Sequence, residues 1–389
     1  MTSLVPKQTK LWEYSVVYTD RAVNSMAQSY QDVMKNIGSS LKQVYNAAAV
    51  ALIPGSGTYG MEAIAHQFGK GKKCLVIRNG YFSYRWSDIF RVTGIPSEVT
   101  VLKAAPKMDG TRTPVFFPKP IAEVVATITS EQPDVVFAPH IETSCGMLLP
   151  DSYLRAIADA VHAYGGFFVL DAIAAGSVWC DMQVTGVDIL LSAPQKAWSG
   201  PACVAFVLLN ARAQAYVLDD EKAPSTQSFC CNLKQWLNVM MEYENVDGKG
   251  PGFKYYTTLP TDALIKVLAA IRETERFGIA RSNQAAWTLG NRIREILKER
   301  GFTSVAASGY EAPGVVVVYS SVPGMYAKFK EAGLQIAGGV PLMLGEDKIG
   351  IDTKGTTFRI GLFGLDKWKN VDETCARLEQ ALDYIQSRL

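Results

Sequence analysis

The sequence predicts an α/β protein: a mostly parallel central sheet with helices on both faces, joined to a smaller α+β domain. Three observations carry this. From about residue 58 helical and strand-like segments alternate, the pattern of a parallel sheet with helical crossovers. The strand-like runs are continuously apolar, as expected of strands covered on both faces. After residue 260 the texture changes to long helical stretches and then to a short strand-rich region from Val315.

Taken in order, TYGMEAIAHQFG (58–69) reads as a helix, KCLVIR (73–78) as a strand, YFSYRWSDIFRVTG (81–94) as a helix and EVTVL (98–102) as a strand. IAEVVATITSE (121–131) is helical and DVVFAPH (134–140) is a buried strand. DSYLRAIADAVHAYG (151–165) predicts a helix opened by Asp151 as N-cap and closed by Gly165. Three strands follow: GFFVLD (166–171), VDILLS (187–192) and CVAFVLLN (203–210). A helical stretch starting at TDALIKVLAAIRETERFG continues to about Glu299, and VDETCARLEQALDYIQSRL is a last helix. These features divide the chain into an N-terminal arm (1–20), a large domain (21–260) and a small domain (261–389).

At 389 residues the chain exceeds the size at which single cores stop growing. Hydrophobic residues at 48%, charged residues at 20% and a net charge of +2, with no block of like charge, describe an ordinary globular protein. No polyanion-binding footprint is present, so nucleic acid and acidic membrane surfaces are not expected partners. The start, MTSLVPKQTKLWEY, lacks a signal-peptide core, and no continuously apolar stretch reaches the roughly 18 residues that span a bilayer. A cytoplasmic protein is expected. Seven scattered cysteines, of which only Cys230 and Cys231 are close, read as reduced thiols. With three histidines and neither CxxC nor HExxH, no metal site is expected.

Ligands of open α/β sheets bind outside the carboxyl ends of the strands. There the sequence offers the turn PGSGTYG (54–60), PHIETSCG (139–146), DAIAAG (171–176) and SAPQKAWSG (192–200). PGSGTYG puts small residues at a helix N-terminus, where free amides and the helix dipole favour an anion such as phosphate; it also reads as a plain helix start. Asp171 follows the apolar run GFFVL and needs a cationic partner if buried, or else caps a nearby turn. Lys196 ends another strand, either as an exposed turn residue or as a buried amine that deprotonates readily. A phosphate cradle, a buried acid and a lysine fit one ligand together, pyridoxal 5'-phosphate: aldehyde to lysine, pyridine nitrogen to aspartate, phosphate to the glycine-rich turn.

At these motifs the sequence resembles the class V pyridoxal-phosphate-dependent aminotransferases of fold type I, and among them the alanine-glyoxylate and serine-pyruvate aminotransferase group. GSGT followed by MEA, then NGYFSYR, HIETSCG, VLDAIAA, SAPQKAW, KYYTTLP and FRIGL come in the family's order and spacing, from about residue 30 to the C-terminus. The resemblance implies that Lys196 bonds covalently to the cofactor aldehyde and shuttles the proton from the substrate Cα, and that Asp171 pairs with the protonated pyridine nitrogen. It implies that Ser56, Gly57, Thr58 and Gln195 hold the phosphate, that Phe82 and Ile173 cover the two ring faces, and that Thr143 donates to the ring hydroxyl oxygen. Tyr255 and Thr258 then reach the phosphate of a neighbouring subunit in a homodimer, and Arg359 clamps the substrate carboxylate. The implied activity moves an amino group from a small amino acid to glyoxylate or pyruvate, with ping-pong kinetics.

Two stretches depart from the family. EYSVVYTDRAVN (13–24) replaces a Gly/Pro-rich loop, leaving Tyr18 and Arg21 as candidates for a side-chain pocket or for an interface. YYTT stands where a histidine-containing YHHT is more usual. A cysteine desulfurase or β-lyase on the same fold is the alternative reading; it expects histidines where this chain has Gln195 and Phe82, and a mobile cysteine where Cys375 falls in the final helix. A non-enzymatic cofactor-binding regulator is a further alternative, and no DNA-binding segment accompanies the fold.

Overall fold

The computed structural model describes residues 23–107, 110–111, 113–245 and 249–388; the N-terminal arm, with Tyr18 and Arg21, lies outside the described residues. A seven-stranded sheet forms the centre: β1 (Ala49–Pro54), β2 (Lys73–Arg78), β3 (Glu98–Lys103), β4 (Val135–Pro139), β5 (Phe167–Asp171), β6 (Ile189–Ser192) and β7 (Val204–Leu209). Their spatial order is β1-β7-β6-β5-β4-β2-β3. The pairs β6–β5, β5–β4, β4–β2 and β2–β3 are parallel, while β7 runs antiparallel to both β6 and β1. The reversal follows from the connection 193–203, which carries no helix; a parallel return needs a longer crossover.

Helices α1 (Gln28–Tyr45), α2 (Gly57–Phe68), α3 (Tyr81–Thr93), α4 (Ile121–Glu131) and α5 (Asp151–His162) serve this sheet. Strand β1 and helix α1 precede the first helix expected from the sequence. Asp151 is not the N-cap of α5: Pro150 holds that place with φ −62°, and the aspartate lies in the first turn. Proline presets the backbone there, so the helix starts one residue earlier than a side-chain cap at Asp151 requires, and the carboxylate meets the positive end of the helix instead.

The helical stretch expected through Glu299 is two helices, α6 (Thr261–Phe277) and α7 (Ile279–Glu299). Gly278 separates them with φ +103°, a conformation that a residue with a Cβ rarely adopts. Leu264, Val267 and Ile271 of α6 pack into the core of the large sheet, whereas Leu289, Ile293 and Leu297 of α7 belong to a second core. A four-stranded antiparallel sheet lines that second core: β8 (Thr303–Ser304), β9 (Val315–Tyr319), β10 (Ala337–Gly338) and β11 (Thr357–Gly361), in the order β8-β9-β11-β10. The final helix, α8 (Val371–Gln386), closes it with Cys375, Leu378 and Leu382 buried. Among the described residues no helix is long and apolar enough to cross a membrane.

Candidate functional site

The parallel strands end on one edge of the sheet, and a cavity of about 310 Å³ opens there. Each wall comes from the segment that follows a strand. Ser56, Gly57 and Thr58 come from the start of α2, and Phe82 and Arg85 from the first turns of α3. Thr143 belongs to the loop after β4, Asp171 and Ile173 to the end of β5, and Gln195 and Lys196 to the turn after β6. The predicted residues that do not line the cavity are Tyr255, Thr258 and Arg359.

Asp171 is 7% exposed. Its Oδ1 accepts a hydrogen bond from the Ile173 backbone N–H at 3.1 Å. Burial pushes its carboxyl up to about 7; nearby Glu142 adds to the rise, while the Ile173 amide and Arg85 oppose it. A carboxylate in that state has room for a cationic hydrogen-bond donor, and none of the described residues donates one to it. Lys196 is half-buried, with Nζ 5.5 Å from the centre of the Phe363 ring. Burial lowers its amine pKa, and the charges of Arg359 and Arg85 lower it further, which favours the neutral, nucleophilic form. Gln195 Oε1 is buried without a hydrogen-bond partner among the described residues.

Apolar side chains also bound the cavity. Phe82 and Ile173 both line it, and Gly57 admits Ile173 because a Cβ there would lie 2.4 Å from Ile173 Cδ1. Arg359, in β11, donates from Nε to Gly338 O at 2.9 Å, and its Cζ lies 5.8 Å from the Phe82 ring centre. Its terminal nitrogens carry no hydrogen bond among the described residues. Arg359 therefore stands at the margin of the site, contributed by the small sheet. Tyr255 and Thr258 lie elsewhere, on a segment where Tyr255 is 65% exposed and its hydroxyl is 3.4 Å from Thr258 Oγ1.

Two residues that the sequence reading did not single out shape the site. Glu142, fully buried, accepts from the Phe82 N–H (3.2 Å), the Ser83 N–H (2.8 Å) and hydroxyl (2.7 Å), and the Ser144 N–H (3.1 Å) and hydroxyl (2.7 Å). A carboxylate in this position satisfies the free amides at the start of α3 and meets the helix dipole, so it sets the position of Phe82. Ser144 is thereby turned into this network and Thr143 is left facing the cavity. Arg85 lines the cavity one turn after Phe82; the signal for it was the i,i+3 spacing within NGYFSYR. Behind the site His140 is buried and its imidazole is pushed down to about 4 by desolvation, so it is neutral near pH 7.

All seven cysteines are unbonded thiols. Cys375, the thiol weighed for the desulfurase alternative, is fully buried in α8 within the second core. Among the described residues no cluster of three or more histidine, cysteine or acidic side chains is arranged to hold a metal ion.

No protein-family model matches the chain. The chain is 28% identical to alanine–glyoxylate aminotransferase 1 of Saccharomyces cerevisiae over 350 residues, 84% of each chain. It is 32% identical to the L-aspartate–glyoxylate aminotransferase of Paracoccus denitrificans over 171 residues, covering 44% of this chain and 41% of that one. Its fold matches that of an aspartate aminotransferase of subgroup IV from Thermus thermophilus with a TM-score of 0.75 at 22% identity, over 93% of both chains.

Proposed function

Since the chain is a pyridoxal 5'-phosphate-dependent class V aminotransferase of fold type I, we propose that it moves an amino group from a small amino acid of the alanine or serine type to glyoxylate or pyruvate. The observation that carries this reading is the meeting of Lys196, Asp171 and the N-terminus of α2 around one cavity, which Phe82 and Ile173 also line. When bound, the cofactor supplies an electron sink for the negative charge that develops at the substrate Cα.

The residues present fit that group. The buried Asp171 carboxylate, raised to about 7 without a cationic partner, is suited to hold a proton at the pyridine nitrogen. The α2 amides with the Ser56 and Thr58 hydroxyls, and Gln195 beside them, bind the phosphate in this reading. Thr143 donates to the ring hydroxyl oxygen. Arg359 receives the substrate α-carboxylate with the terminal nitrogens its Gly338 contact leaves over, a planar fork suited to two parallel hydrogen bonds.

Lys196 would hold the cofactor through its aldehyde at rest. When free, its amine would take the proton from the substrate Cα, and burial keeps that amine basic but unprotonated. A single cavity of about 310 Å³ serves donor and acceptor in turn, so ping-pong kinetics are expected. Tyr255 and Thr258, exposed and outside the cavity, are suited to complete the site of a second copy, and a homodimer is part of the reading. A cytoplasmic location accords with seven reduced thiols.

A panel of amino donors tested against glyoxylate and pyruvate decides the matter. In single turnover, alanine or serine should bleach the visible band of the lysine-bound cofactor, and a keto acid should restore it. If no donor bleaches the band, or cysteine releases sulfide without any keto acid, the transaminase reading is wrong.

A further inference from the structure

Arg85 has no part in the reading above. We propose that its guanidinium binds the 5'-phosphate of the cofactor and supplies the cationic wall of that subsite; the inference rests on the cofactor reading of the cavity. Arg85 lines the same cavity as Ser56, Gly57 and Thr58. Its Nη1 lies 3.4 Å from Thr58 Oγ1, so the side chain reaches the start of α2, where the phosphate is read to bind. Its Cζ is 4.9 Å from the centre of the Phe82 ring, which props the guanidinium in place.

The remaining phosphate donors, Ser56, Gly57, Thr58 and Gln195, are all uncharged, whereas the ligand carries close to two negative charges near pH 7. Arg85 makes no ion pair among the described residues, and its hydrogen bond to Thr58 is long, at the outer limit for such a contact. Most of its five donors are therefore available for an incoming anion, and the planar fork matches phosphate oxygens in pairs. Phe82 and Arg85 sit at i and i+3 on α3, so one helix face delivers both the ring for stacking and the charge for the phosphate.

The test compares pyridoxal 5'-phosphate with pyridoxal, which keeps the aldehyde and lacks the phosphate, in equilibrium binding to the cofactor-free protein. Arg85→Gln should weaken pyridoxal 5'-phosphate binding about 10- to 100-fold, the range expected for a charged hydrogen-bond partner, and leave pyridoxal binding unchanged. Arg85→Lys, which keeps a point charge without the fork, should fall between. Unchanged pyridoxal 5'-phosphate affinity in Arg85→Gln overturns the inference, and so does equal weakening of both ligands. An increase in KM confined to dicarboxylic donors, with cofactor affinity intact, assigns Arg85 to the substrate and also overturns it. If the wild-type protein binds neither ligand, the cofactor reading itself fails.

Discussion

Gly57 and Ile173 pack against each other so closely that a Cβ on the glycine would lie 2.4 Å from Ile173 Cδ1 and 2.9 Å from Cγ1. The start of α2 and the residue two past Asp171 thus form one wall, and the phosphate cradle cannot shift without moving the isoleucine proposed to cover a ring face.

Gly57→Ala is accordingly expected to displace Ile173 and lower cofactor affinity by about tenfold, a cost of the size found for overpacking a tight contact. Adding Ile173→Ala to the same chain should recover part of the loss. Equilibrium binding of pyridoxal 5'-phosphate measures both, and wild-type affinity in Gly57→Ala would show that the contact does not constrain the site.

Lys196→Ala removes the only amine that lines the cavity among the described residues. The variant should fold, show no visible band of a lysine-bound cofactor after reconstitution, and have no turnover. A normal spectrum would mean that another amine carries the cofactor.

The pH dependence of stability isolates Asp171. Its folded-state value of about 7 lies above the ordinary 3.8, so between about pH 4 and 7 the folded chain holds a proton that the unfolded chain has released. The Asp171 contribution to stability is therefore present below pH 4 and is lost as pH rises through 7. His140, pushed down to about 4, acts in the opposite sense, and its contribution is common to wild type and variant. In the cofactor-free protein, the Tm of Asp171→Asn minus that of wild type should grow from pH 5 to pH 8. Parallel melting curves across that range would contradict the assignment.

Glu142→Gln puts an amide NH2 among the N–H and O–H groups of Phe82, Ser83 and Ser144. Loss of a fully buried charged acceptor should cost about 2–4 kcal/mol, read by urea denaturation. Because the same acceptor positions Phe82, cofactor affinity should fall as well. A variant as stable as wild type would show that the start of α3 is held by other contacts.

Arg359→Leu should raise KM for every amino acid while cofactor affinity stays at the wild-type level, because Arg359 reaches the site from β11 and lies outside the phosphate wall. An unchanged KM removes the carboxylate role.

The periodicity of the chain carried the central sheet well because its inner strands are apolar on both faces: runs such as GFFVLD and CVAFVLLN have few other ways to be buried. Helix ends were less legible. Asp151 satisfies the rule for a cap, yet Pro150 starts α5, and the helical pattern runs straight through Gly278, where the backbone turns. Propensity is summed over a window and does not register a single dihedral set by packing.

By itself, then, the sequence determined the α/β class, the order of the motifs and the chemical types available at the strand ends: a lysine after one strand, an aspartate after another, small residues before a helix. Only the tertiary structure decided which of these face a common cavity. It decided that Asp171 is buried with no ion pair among the described residues, that Arg359 reaches the margin from a second sheet, and that Tyr255 and Thr258 stay outside. It also brought in Glu142 and Arg85, whose roles depend on partners up to 60 residues away in the chain. Composition and spacing are local, whereas burial, field and hydrogen-bond partnership arise only when distant segments are packed against one another.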